Sequence, residues 1–219
     1  MDRRHYLRHA IALATVLAIA ILPGAGCRSL LTTAMWIFKG TDVDPEFSEL
    51  KGKKVAVVCR PLVSLQYRNS NVGRDIAQVM TLLLQEKVPK IKTIDQRKIG
   101  KWTDENTWEE FSEVGKAMKA DMVVGVDLNA FDLYQGQTLY QGRASASVRV
   151  YDCQNGNKLV FEKELPPTVF PPNVGIPTSE KSESQFRREF VAILADQIAR
   201  HFYKHDAYAD VAQDARALH

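Results

Sequence analysis

Histidine and cysteine are scarce in this chain of 219 residues, which has five of the first and three of the second. Beyond the first ten residues, histidine occurs only at His201, His205 and His219. A serine hydrolase would have to draw its general base from that last stretch, which weighs against one. Glycines such as Gly115, Gly125 and Gly142 do not form a phosphate loop. The formal charge of +3 looks basic, but Arg3, Arg4, Arg8 and Asp2 all lie at the amino terminus. Without them 26 cations face 25 anions, a balance of +1. No basic stripe interleaved with aromatics follows, so nucleic acid is not an expected partner. A second long apolar segment is also missing.

What the sequence does have is an organised beginning. Three arginines precede an uncharged run from Ala10 to Leu22, and Pro23, Gly24, Ala25 and Gly26 lead to Cys27. That is the layout of a secretion signal. The apolar run rises only about 20 Å as a helix, too short for a hydrocarbon layer of about 30 Å. Small residues immediately before a cysteine resemble the lipobox of bacterial lipoproteins, in which the thiol is diacylated and becomes the new amino terminus. The position three before Cys27 is Gly24, where that pattern usually has an aliphatic residue. The resemblance implies residues 1–26 as a signal peptide, Cys27 as the lipidation site carrying palmitate-type acyl chains, and 27–52 as an anchored linker. The competing reading is an uncleaved anchor extended by "SLLTTAMWIF", residues 29 to 38, which Arg28 and the Pro23–Gly24 pair interrupt.

With 45% hydrophobic and 25% charged residues, the remainder suits one ordinary core. Cys59 and Cys153 would be the two thiols left in a disulfide-permissive compartment, either paired or, as preferred here, each a small buried group.

The middle of the chain alternates strand and helix patterns. "KKVAVVC", 53 to 59, reads as a strand buried on both faces. Val72, Ile76, Val79, Met80 and Leu83 recur at helical spacing behind Asn71. "KIKTI", 90 to 94, reads as a second strand, and "TDENTWEEFSEVGKAMKA" as one helix with Thr107 and Glu110 at capping-box spacing. "DMVVGVDLNAFDL" is a third strand. Next, Tyr140, Gly142, Ala144, Ala146, Val148 and Val150 alternate with polar residues, a strand with one core face. Asn155–Gly156 turns it into "KLVFEKEL", and a final helix buries Phe186, Phe190, Ile193, Leu194 and Ile198. The expectation is a single α/β domain, 53–205, with a mixed sheet in the order βαβαβββα, followed by a tail at 206–219.

"KKVAVV", "KTIDQRKI", "EVGKAMKADMVVGVDL", "YQGRASASVRVYDCQNGNKLVFE" and "FRREFVAILADQIARHFY", in that order, resemble a domain shared by TolB amino-terminal regions, curli-secretion lipoproteins and lipoprotein activators of penicillin-binding proteins. The resemblance spans Lys53 to Tyr203. It implies an envelope lipoprotein that acts by binding other proteins and has no common catalytic residue. The turns at Gln135–Thr138 and Cys153–Lys158 are too short for the pore hairpins of the curli type. About 25 residues between Cys27 and the first strand reach at most about 85 Å, which keeps the domain near its membrane.

Several residues invite chemical readings. His201 and His205 sit one helical turn apart with Asp206 and Asp210 nearby, a spacing two metal ligands can use, although a solvated helix end explains it as well and no third ligand follows. Asp121, Asp127 and Asp132 could suggest acid/base work or cation binding, but Asp121 reads as the end of the preceding helix, Asp127 and Asp132 as a wet strand face, and the acidic run Asp104 to Glu113 as a solvated helix face. The proline-rich segment 166–184 is expected to lack regular structure. Its Val169, Phe170, Val174 and Ile176 either close the core or form a recognition segment for a partner.

The sequence therefore points to a non-catalytic binding or assembly factor without a cofactor, held in the cell envelope through Cys27 and facing the periplasm. Arg28 does not match the aspartate inner-membrane retention signal, which favours the outer membrane. Its partners would be the membrane and an envelope protein, with self-association open. The alternative is an envelope hydrolase or metal-binding enzyme using His201 and His205.

Overall fold

A computed structural model describes residues 42–66 and 71–207. The signal segment, Cys27 and all but the first residues of the tail lie outside that range. Strand β1 (Lys54–Pro61) leads into α1 (Val72–Lys87), β2 (Lys92–Thr93), α2 (Gln96–Glu105), α3 (Phe111–Met118) and β3 (Met122–Gln135). Then come β4 (Leu139–Asp152), β5 (Lys158–Glu164), β6 (Thr168–Phe170), β7 (Ile176–Pro177) and α4 (Glu183–Ala199), followed by a 3-10 turn, Arg200–Phe202, and a two-residue strand, His205–Asp206. The sheet is mixed, in the order β2-β1-β3-β4-β5, with β6 and β7 also paired to β4. β1 runs parallel to β2 and β3, and every later pairing is antiparallel. The fold is α/β, as the sequence predicts.

Burial explains this layout. Val55 and Val57 of β1, Val124 and Val126 of β3 and Val148 and Val150 of β4 share one core with Ile76, Met80 and Leu84 of α1 and Phe186, Phe190, Leu194 and Ile198 of α4. On the reverse face, Ala56, Val58 and Val123 pack with Ile99, Phe111 and Val114 from α2 and α3. β1 and β3 are thus apolar through Val58 and Val126, where helices cover both faces, while β4 alternates because most of its second face has no helix over it. Close approach dictates two glycines. A Cβ on Gly125 would sit 2.4 Å from the Phe111 ring, and one on Gly142 2.5 Å from that of Phe190.

Four local expectations need correction. The single helix expected after Thr103 is two, because the chain breaks at Asn106–Glu110 to bring Trp108 and Phe111 onto the sheet. The capping box pairs Glu110 with Glu113 rather than Thr107 with Glu110: the Glu113 carboxylate accepts the amides of Glu109 and Glu110 at 3.1 and 2.8 Å. In α1, Leu84 is fully buried and Leu83 only partly, and Asn71 makes no side-chain cap. The proline-rich segment holds two short strands. β5 pairs with only the last part of β4, so the open edge at Leu139–Ala144 takes Thr168–Phe170 and Ile176–Pro177 as partners. Prolines exclude a long strand there, but three residues between prolines still supply donors and acceptors.

The folded unit also starts earlier than β1. Phe47 and Leu50, within the stretch assigned to a linker, are buried in the core. The described residues from Val43 form one compact unit.

Candidate functional site

Beyond α2 and α3, the reverse face of the sheet lies open, and its side chains form a ladder of charges. Register sets it up: Arg60 pairs with Asp127, Asp127 with Ser147 and Ser147 with Glu164, while Gly125, Arg149 and Glu162 make the next row. Asp127 is the hub. Its Oδ1 accepts from Arg60 Nε at 2.8 Å, its Oδ2 lies 3.0 Å from an Arg149 guanidinium nitrogen, and Arg149 Nε donates to Glu162 Oε1 at 2.8 Å. Arg60 is further fixed by donating to the Glu109 carbonyl and by lying over the Phe111 and Trp108 rings, 4.7 and 5.6 Å from their centroids. The break between α2 and α3 makes that possible.

The ladder is neither core nor bulk surface. The Asp127 side chain is 16% exposed, Arg60 35% and Arg149 32%, so the arginines are held in place while their outer edges meet water. They wall a concavity of about 540 Å³ shared with Asn129, Ser147 and Glu164. Leu62, 51% exposed, lines it, and the next residue, Val63, is 67% exposed, two large apolar side chains open to solvent. Bound Glu162 raises the Arg149 pKa, against the cost of burial.

The residues singled out from sequence scatter. Asp121 accepts the Lys54 amide at 2.7 Å and Gln154 Nε2 at 3.1 Å, pinning the start of the sheet. Asp132 is exposed and turns back to the Tyr134 amide at 3.0 Å. Of the three aspartates, only Asp127 belongs to the ladder. Its wet-face reading holds for direction but misses the two arginines, 67 and 22 positions away in sequence, which strand register alone brings together. In the proline-rich segment, Phe170 is buried and stacks on Phe186 with centroids 6.2 Å apart, and Ile176 is half-buried. Val169 and Val174 stand 40% and 72% exposed. The segment thus both closes the core and shows two apolar side chains to solvent.

His201 and His205 do not share a helical face, because α4 ends at Ala199 and the chain is extended again by Tyr203. His201 Nδ1 faces Glu46 Oε1 at 3.1 Å, and His205 Nδ1 faces the Tyr203 carbonyl at 3.3 Å. Among the described residues, no three His, Cys, Asp or Glu side chains are grouped to hold a metal ion. Cys59 and Cys153 are free thiols on opposite faces of the sheet. Burial pushes both up, with Asp127 adding to the effect on Cys59 and Asp152 on Cys153, the reverse of what a nucleophilic thiolate needs.

No protein-family model matches the chain, and no curated protein matches it. Among solved structures it is similar to the PelC dodecamer from Paraburkholderia phytofirmans, with 11% identity, TM-score 0.43, and coverage of 72% of this chain and 94% of that one. Lipoprotein GNA1162 from Neisseria meningitidis matches at 14% identity and TM-score 0.41, over 67% of this chain and 97% of the other. A minor lipoprotein from Acinetobacter baumannii matches at 14% identity and TM-score 0.32, over 68% and 91%. The chain is similar to bacterial lipoproteins.

Proposed function

We propose that this chain is an envelope lipoprotein, cleaved before Cys27 and anchored by acyl chains on it, whose domain is a non-catalytic binding module in the periplasm. The observation that carries the binding role is the open sheet face. A rigid sheet presents two half-exposed arginines, already ordered by Asp127, beside the exposed Leu62 and Val63. Ordered arginines next to apolar anchors suit protein recognition, because little side-chain freedom is lost on contact. Val169 and Val174 offer a second, smaller contact. The candidate reactive groups are occupied elsewhere: both thiols are raised in pKa, and His201 is tied to Glu46.

The anchor fits a partner close to the membrane. Cys27 to Val43 is 16 residues, a contour of at most about 55 Å. Arg28 after the cysteine favours the outer membrane. The test is crosslinking in native envelope followed by recovery of the full-length protein. Arg149→Glu, with folding checked by circular dichroism, should lose a crosslinked species that the wild type gives. A well-folded Arg149→Glu with the full wild-type crosslink pattern would overturn the assignment of this face.

A further inference from the structure

The chain enters the fold through residues 43–50, and two consecutive residues of that segment are fastened to the same histidine, one by its side chain and one by its backbone amide. Glu46 Oε1 receives Lys163 Nζ and lies 3.1 Å from His201 Nδ1. The Phe47 amide donates to the His201 carbonyl at 3.1 Å, and its ring meets Phe161 and Phe202 with centroids 5.4 and 6.3 Å away. Leu50 is fully buried in the same core. The His201 side chain is 15% exposed, while Glu46 at 46% still meets water.

We propose that residues 43–50 form a strap held closed by the Glu46, His201 and Lys163 cluster and loosened by protonation of His201, so that acid lengthens the chain between membrane anchor and domain. The effect on the tether rests on the Cys27 anchor proposed above, whereas the strap itself does not. Opening adds eight residues, about 27 Å of contour.

The charged groups facing the imidazole are Glu46 from the strap, Lys163 from β5 and His205 from the chain that follows, while neighbouring Arg200 is paired with Asp196. A neutral ring donates from Nδ1 to Glu46 without cost. A second proton places a positive charge beside Lys163 on a ring that is itself largely buried, and Glu46, half open to water and already shared with Lys163, offsets only part of that. Burial first, and Lys163 second, hold His201 below its ordinary 6.5, with Glu46 acting the other way. Protons thus bind better to the open strap, and opening is favoured as pH falls through 6.5. Glu46, itself lowered from 4.5 by Lys163, stays ionised between pH 5 and 8.

The test is hydrogen exchange at the Phe47 amide in the full-length protein in detergent, corrected for the intrinsic rate. Protection should fall between pH 8 and pH 5, by at most about 30-fold for a histidine of ordinary pKa when free. The Val57 and Val124 amides should hold theirs. His201→Gln should flatten the pH dependence, and Lys163→Met should reduce it. Flat protection in the wild type, an unchanged slope in both variants, or a parallel fall at Val57 would each overturn the strap. Cys27→Ser leaves this readout intact, so a failed anchor and a failed strap give different results.

Discussion

Removing the Asp127 carboxylate with Asp127→Ala takes the hub out of the charge ladder and leaves two fixed arginines without their shared anion. Each arginine is about one-third exposed, with side chains 35% and 32% accessible, so solvent screens the pairs and each is worth no more than about 1 kcal/mol. Asp127 itself, at 16% exposure, is screened less. Loosened Arg60 also gives up part of its contact with Phe111 and Trp108, about 0.5 kcal/mol. The sum is a loss of about 2 kcal/mol, read as a lower urea midpoint with an unchanged slope. Because the arginines repel once Asp127 is gone, adding Arg149→Ala to Asp127→Ala should recover part of the loss, and the cycle should show a coupling of about 1 kcal/mol that shrinks in high salt. Strictly additive losses at low salt, or a single-variant loss within 0.3 kcal/mol of zero, would refute the reasoning that Asp127 organises this face.

Other consequences concern the core, the strands of the proline-rich segment and the anchor. Phe170→Ala should cost about 3 kcal/mol in urea unfolding, because the ring is buried against Phe186, whereas Val174→Ala should stay within about 0.5 kcal/mol. Gly125→Ala should cost about 2 kcal/mol or more, since its Cβ would sit 2.4 Å from the Phe111 ring; trimming that ring with Phe111→Leu in the double variant should return part of the loss. Cys27→Ser should abolish labelling by an alkyne fatty acid and leave the signal segment uncleaved, both read by mass spectrometry; unchanged labelling would remove the anchor.

Much of the fold is legible in residue pattern because burial alone dictates it. The Val-rich first halves of β1 and β3 are covered on two faces, β4 on one, and α4 repeats its apolar positions at helical spacing. The pattern fails where tertiary contacts decide. Nothing local separates α2 from α3, since the break exists to seat Trp108 and Phe111 under Arg60, and Glu113 rather than Thr107 serves the new helix start. The prolines around Thr168–Phe170 argue against strands until the unpaired half of β4 is seen. The ladder was hidden for a related reason. Arg60, Asp127, Arg149 and Glu162 each look like an outward-facing polar residue of its own strand, and only strand register turns them into one cluster. Phe47 and Leu50 are apolar residues in a short polar stretch, and Phe47 is buried against the aromatic pair Phe161 and Phe202, distant in sequence.

The central claim is that an envelope partner meets the open face of the sheet. A photoreactive amino acid placed at Val63, next to Leu62 of the charged concavity, and separately at Leu82, an exposed position on α1, tests it in the full-length protein within native envelope. The account predicts a discrete crosslinked species from position 63 that disappears with Arg149→Glu, and none from position 82. Equal crosslinking from both positions, or a species at 63 indifferent to Arg149→Glu, would contradict it.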